Sequence, residues 1–157
     1  MLKIQLCTEV LESTILGSES SIAPETVQAY READYRVFSD TPVTLRIAVK
    51  NEALLGLYKT NRSDSGAFVT ACNPLGQQFS EAENARLQDL LAHELGRRSL
   101  NFIAGEGKHP AGDWPGEPSF LVFGLSLEAA KTLGKKLEQN AIVWCGSDAV
   151  PQLVLLR

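Results

Sequence analysis

A single-domain α+β fold is the reading this chain invites, and three observations lead to it. Four runs rich in β-formers, AFVTAC, SLNFIAG, FLVFGL and AIVWCG, follow one another from Ala67 to Gly146. Two of the three gaps between them hold amphipathic helical patterns. The third gap, rich in glycine and proline, has no periodicity. The order is therefore β-α-β-β-α-β, the split arrangement of a ferredoxin-like core, with both helices on one face of a largely antiparallel sheet.

Taken in order, Leu2, Ile4 and Leu6 alternate with Lys3, Gln5 and Cys7, the period of a strand. GSESSIAP then separates a short N-terminal segment from the rest, so residues 1–22 read as an extension packed on a domain spanning 23–157. Pro24 suits the first position of a helix, with Val27 and Tyr30 one turn apart. DYRVF and VTLRIAV, joined by SDTP, read as an antiparallel hairpin, because Val43, Leu45, Ile47 and Val49 alternate with polar or small residues. NEALLGLYKT reads as a short helix, followed by the loop NRSDSG.

Beyond the strand AFVTAC, Ser80-Glu81-Ala82-Glu83 has the form of a capping box. Its helix carries Leu87, Leu90, Leu91 and Leu95 on one face and stops at Gly96. GEGKHPAGDWPGEP predicts an irregular loop of 14 residues, Gly105 to Pro118. Ser126 caps a second helix with Ala130, Leu133 and Leu137 on one stripe. PQLVLL is an extra C-terminal strand, and together with the hairpin it would extend the sheet or cover its other face.

Composition narrows the function classes. The chain has 157 residues, 44% apolar and 22% charged, which suits one soluble domain with a sizeable core. A net charge of −4 with no run of like charge argues against binding duplex nucleic acid. No segment approaches the roughly 18 apolar residues of a membrane helix, and MLKIQLCTEVLE does not read as a signal peptide. Cys7, Cys72 and Cys145 are an odd number without CxxC spacing, which reads as reduced thiols in a cytoplasm. There is no GxSxG, Walker loop, GxGxxG or HExxH, and no cofactor is implied.

The polar residues that remain each have a functional and a structural reading. Asn73 follows the first core strand, and Pro74 favours an extended conformation for it. Asn84 shares a helix face with Leu87, Leu91 and Leu95, so a buried amide there must find partners. It either wires the helix start to the backbone after Cys72 or contacts a ligand. In the glycine-rich loop, Glu106, His109, Asp113 and Glu117 bring two carboxylates near an imidazole, which suits acid/base work but matches no zinc or calcium spacing. Cys72 would need His109 beside it to act as a nucleophile. A four-residue hairpin turn would send one of Arg36 and Arg46 to the core side and the other to the opposite side, and a slip of one residue exchanges them. An inward arginine, with Tyr30 and Tyr35 close by, would suit an anionic group.

AYREADYRVF, FVTACNPLG, SEAEN, GEGKHPAGDWPGEPSFLVFGL and QNAIVW, in this order, resemble the bacterial domain-of-unknown-function family 3293. The resemblance covers about Gln28 to Leu155. Its family-like polar positions are Tyr30, Tyr35, Arg36, Thr70, Asn73, Asn84, Glu106, Trp114, Glu117, Asn140 and Trp144. It implies a bacterial cytoplasmic protein and brings no activity with it.

Three functions follow as expectations. The first is a small-molecule or nucleotide-binding domain whose pocket unites Asn73, Asn84, Glu106, Trp114 and Glu117, with Tyr35 and Arg36 beside it. The second is a homodimeric interaction module pairing sheet edges through PQLVLL. The third is a hydrolase using Glu106 and Glu117 as acid and base. Trp114 should pin the loop to the domain. Glu106 and Glu117 should come close together, with a cationic or amide partner within reach of at least one of them.

Overall fold

The computed structural model describes residues 20–112 and 115–157. The strand expected at Leu2–Leu6, most of the N-terminal extension and the Trp114 anchor lie outside the described residues. Along the chain run α1 (Pro24–Glu32), β1 (Asp34–Val37), β2 (Val43–Leu45), α2 (Glu52–Thr60) and β3 (Gly66–Val69). After a single 3₁₀ turn (Pro74–Gly76) come α3 (Glu81–Arg97), β4 (Phe102–Lys108), β5 (Glu117–Phe123), α4 (Leu127–Lys136), β6 (Ala141–Cys145) and β7 (Pro151–Leu155). The architecture is α+β: the strands form one curled sheet in the order β2-β1-β4-β5-β3-β6-β7, every neighbour antiparallel.

Local chemistry sets the helix starts. Pro24 opens α1, as its fixed φ predicts. Asn51, Ser80 and Ser126 accept the backbone N–H of Leu54, Glu83 and Ala129 at the heads of α2, α3 and α4.

The strand pleat then divides the apolar residues into two cores. On one face Tyr35, Val37, Phe68, Leu121 and Phe123 meet Leu54 and Tyr58 of α2. On the other, Ala67, Val69, Val122 and Ile142 meet Leu91 and Leu95 of α3 and Ala130 and Leu133 of α4. Leu54 and Leu95 are fully buried, and each such side chain contributes roughly 1.5–3 kcal/mol. The hairpin and PQLVLL extend the sheet at opposite edges, while α2 is the helix that covers the second face. Curling brings the edges together at one corner, where the Ala48 N–H donates to the Pro151 carbonyl at 2.8 Å.

Two expectations need correction. The hairpin loop has five residues, because Phe38 leaves the strand and Val37 pairs with Val43. That slip puts Arg36 and Arg46 on the same side of the ribbon, where each meets a carboxylate: Glu106 at 3.3 Å and Asp34 at 3.3 Å. The second strand also stops at Leu45, since Ala48 turns with φ of 67°. The irregular loop is shorter than predicted. Gly105 to Lys108 belong to β4, and Glu117 and Pro118 to β5. Glycines weaken a strand on its own, but here Gly105 lies against the Arg36 carbonyl, where a Cβ would find no room. Close approach of β1 is what keeps these residues extended.

Candidate functional site

The end of the sheet where β3 and β4 finish and β5 begins gathers most of the polar residues singled out in the sequence. Past Val69 the backbone leaves its ladder, and side chains take over its hydrogen bonds. Ala71 N–H donates to Gln88 Oε1 at 3.0 Å, and Cys72 N–H to Thr70 Oγ1 at 3.0 Å. Gln139 Nε2 donates to the Cys72 carbonyl at 3.0 Å, and Asn73 N–H to Asn84 Oδ1 at 2.9 Å. The wiring expected of Asn84 is therefore present.

Asn73 itself is not extended, despite Pro74. It is left-handed, at φ 51° and ψ 55°, a conformation that costs a residue with a Cβ roughly 1–2 kcal/mol. Its side chain supplies the compensation. Oδ1 accepts from Asn84 Nδ2 and from Phe79 N–H, each at 2.9 Å, and Nδ2 donates to Glu117 Oε2 at 2.8 Å. An asparagine is suited to both demands, since it tolerates this conformation and carries donor and acceptor together.

Glu117 begins β5 and pairs with Gly107, which pairs in turn with Tyr35. The three lie in one row across β5, β4 and β1, on the face that α2 packs against. With no side chain at Gly107, the Tyr35 ring lies over it, and Phe68 meets that ring edge-on at 5.4 Å between centroids. Burial raises the Glu117 carboxyl pKa above the usual carboxylate range, and the Asn73 hydrogen bond offsets this only in part. Burial likewise raises the pKa of the Tyr35 phenol, with smaller contributions from Tyr30 and Glu117. The phenol donates to the Tyr30 carbonyl at the end of α1. Tyr30 Oη in turn accepts from Asn140 Nδ2 at 3.2 Å.

Arg36, Glu106 and Pro118 form the neighbouring row, on the opposite face. Arg36 and Glu106 make a half-exposed ion pair there. The expectation that Glu106 and Glu117 come together on one surface is not met, because residues one step apart in a ladder point to opposite faces. A partner for at least one carboxylate is present, and both have one: a guanidinium for Glu106 and an amide for Glu117. Tyr35, Asn73, Asn84 and Glu117 are brought together; Arg36 and Glu106 are not part of that group.

Cys72 and His109 do not make a nucleophilic pair. His109 Nε2 faces Glu32 Oε2 at 3.1 Å while its Nδ1 accepts from Ala111 N–H at 3.2 Å, so the Nε2 proton points at Glu32. The Cys72 thiol rests on the Pro118 carbonyl at 3.6 Å, and burial pushes its pKa up. Trp144 donates to the Leu125 carbonyl at 3.0 Å and is structural. Two residues escaped the sequence reading. Gln88 lies one turn after Asn84 on the same helix face, and that spacing was a usable signal. Gln139 lies past the end of α4 and gave none.

Residues 69–142 match the model of the family described as Protein of unknown function (DUF3293), the family that the sequence resembles. The match takes in Asn73, Asn84, Glu106 and Glu117 and ends short of Tyr35, Arg36 and Trp144. No curated protein and no solved structure matches the chain.

Proposed function

We propose that this chain is a small-molecule-binding domain, with nucleotides among the candidate ligands, whose site is the Tyr35–Gly107–Glu117 row and the Asn73 turn beside it. The observation that carries this reading is Glu117. A largely buried carboxylate with a raised pKa has one amide partner, and its Oε1 takes no hydrogen bond among the described residues. Such a group costs stability, and a protein that keeps one in front of an aromatic wall has a use for it. Chemical-shift mapping of the backbone amides with a fragment and nucleotide library tests the reading. Shifts should cluster at residues 70–73, Gly107 and Glu117; a library that leaves that end of the sheet unperturbed overturns it.

We take β3-α3-β4-β5-α4-β6 as a ferredoxin-like core, supported by the sequence of its strands across the sheet, β4-β5-β3-β6. A bacterial cytoplasmic setting is supported by the family resemblance and by the free, buried Cys72 and Cys145.

A homodimer is the second reading, favoured by one observation. β7 pairs with β6 on one side, and from the other side only the Ala48 N–H reaches it among the described residues. Light scattering at micromolar concentration decides it, a strict monomer removing the idea. The hydrolase reading asks Glu106 and Glu117, on opposite faces of their hairpin, to serve one bond. The Glu117 row supports binding better.

A further inference from the structure

We infer that the group this site recognises is a cationic nitrogen, a primary ammonium or a guanidinium, held by Glu117 beside the Tyr35 ring. The inference rests on the binding reading above and adds the chemistry of the ligand. It follows from which hydrogen-bonding capacities the protein has already used.

The Asn73 side chain is almost spent. Two donors fill Oδ1, and one amide hydrogen is given to Glu117. Tyr35 has donated its only hydroxyl hydrogen to the Tyr30 carbonyl, so its oxygen has acceptor capacity and no donor left. The Pro118 carbonyl is filled, accepting from Thr70 Oγ1 at 2.7 Å and from the Cys72 thiol at 3.6 Å. Glu117 Oε1 is an acceptor whenever the carboxyl is ionised. What the row offers a ligand is therefore acceptors, and the matching ligand group is rich in N–H donors.

Charge points the same way. Among the described residues no lysine, arginine or histidine makes a hydrogen bond or ion pair with Glu117. Cations carried nearby face other partners or the other side: Arg36 pairs with Glu106 on the far face, Arg46 with Asp34 and His109 with Glu32, and Lys108, one step from Gly107 in β4, belongs to the far face. An anionic ligand would meet a carboxylate with nothing to neutralise it, whereas a cation supplies the missing counter-charge.

Calorimetric titration of the full chain with n-butylguanidinium and n-butylammonium chloride, against N-butylacetamide and sodium butyrate, tests this. The two cations should bind more tightly than the amide and the carboxylate by about tenfold or more. Their binding should tighten as pH rises and Glu117 becomes ionised. Glu117→Gln should remove most of the preference for cations, while Arg36→Met, on the opposite face, should leave it intact. Equal binding of the neutral or anionic probes, cation binding that survives Glu117→Gln, or binding that weakens as pH rises would overturn the inference. If ligands of another class still shift residues 70–73 and Glu117, the site stands and only the cation assignment falls. If no probe of any charge shifts them, both readings fall together.

Discussion

Two carboxylates one step apart in the same ladder meet opposite fates. Glu106 leaves the β4–β5 hairpin on one face and finds Arg36 directly across from it on β1, in a half-exposed pair. Glu117 leaves on the other face, is largely buried, and finds an asparagine amide rather than a cation. Residue type is the same, and both belong to one hairpin. The pleat alone decides which glutamate is neutralised and which is left with a cost, so the chemistry of this end of the sheet is a consequence of register.

The largest effect should come from breaking the register itself. Gly105→Ala puts a methyl group against the Arg36 carbonyl, in the backbone of the adjacent strand, which cannot yield as a flexible side chain would. A loss of about 3 kcal/mol in urea denaturation is expected, with both rows disturbed at once. A loss well under 1 kcal/mol would show that β1 does not approach β4 as closely as described.

Next in size is the Asn73 turn. Asn73→Ala leaves the N–H of Phe79 and the amide of Asn84 without their acceptor, and places alanine in a left-handed conformation. The expected cost is about 2–3 kcal/mol. Asn73→Gly keeps the backbone freedom and should recover part of it, which separates conformational strain from lost hydrogen bonds.

Glu117→Gln sharpens the comparison through pH. Because the folded-state pKa of Glu117 is raised, its contribution to stability is fully present below the ordinary carboxylate value and is lost as pH rises through the folded-state value. Glutamine keeps an acceptor for Asn73 Nδ2 and carries no charge. The variant should therefore match the parent below the ordinary carboxylate value and become the more stable of the two as pH rises, without added ligand. Melting curves across that range check this; a variant less stable at the alkaline end would mean that Glu117 has a cationic partner in the folded protein.

The smallest effect is expected on the other face. Arg36→Met removes the partner of Glu106 in an ion pair that water reaches, so the loss should stay below about 1 kcal/mol and shrink further in high salt. A cost above about 2 kcal/mol, insensitive to salt, would mean that the two faces are less different than their exposure indicates.

Local physics made much of the fold readable from the chain. Asn51, Ser80 and Ser126 announce helix starts because a cap satisfies orphan N–H groups within three residues, and Pro24 does so because its fixed φ suits the first helical position, whatever lies elsewhere in the molecule. The continuous apolar run AIVWC and the alternation in VTL mark strands from local composition in the same way. Part of the candidate site was readable too: the helical angle put Asn84 on the buried face of α3, and a buried amide at a helix head has few places to go but the strand end before it. Tertiary structure decided the rest. Gly105 to Lys108 look like loop by composition and are strand because β1 lies on them. Phe38 looks like strand and is excluded, which moves the hairpin register by one and turns both arginines to the same side. Asn73 is left-handed although Pro74 follows it, because three partners brought together by the fold hold its side chain. A side chain's face depends on which residue of a distant strand it pairs with, a quantity that no local preference encodes; that is why the sequence by itself could name Glu106 and Glu117 but only the folded sheet could separate them.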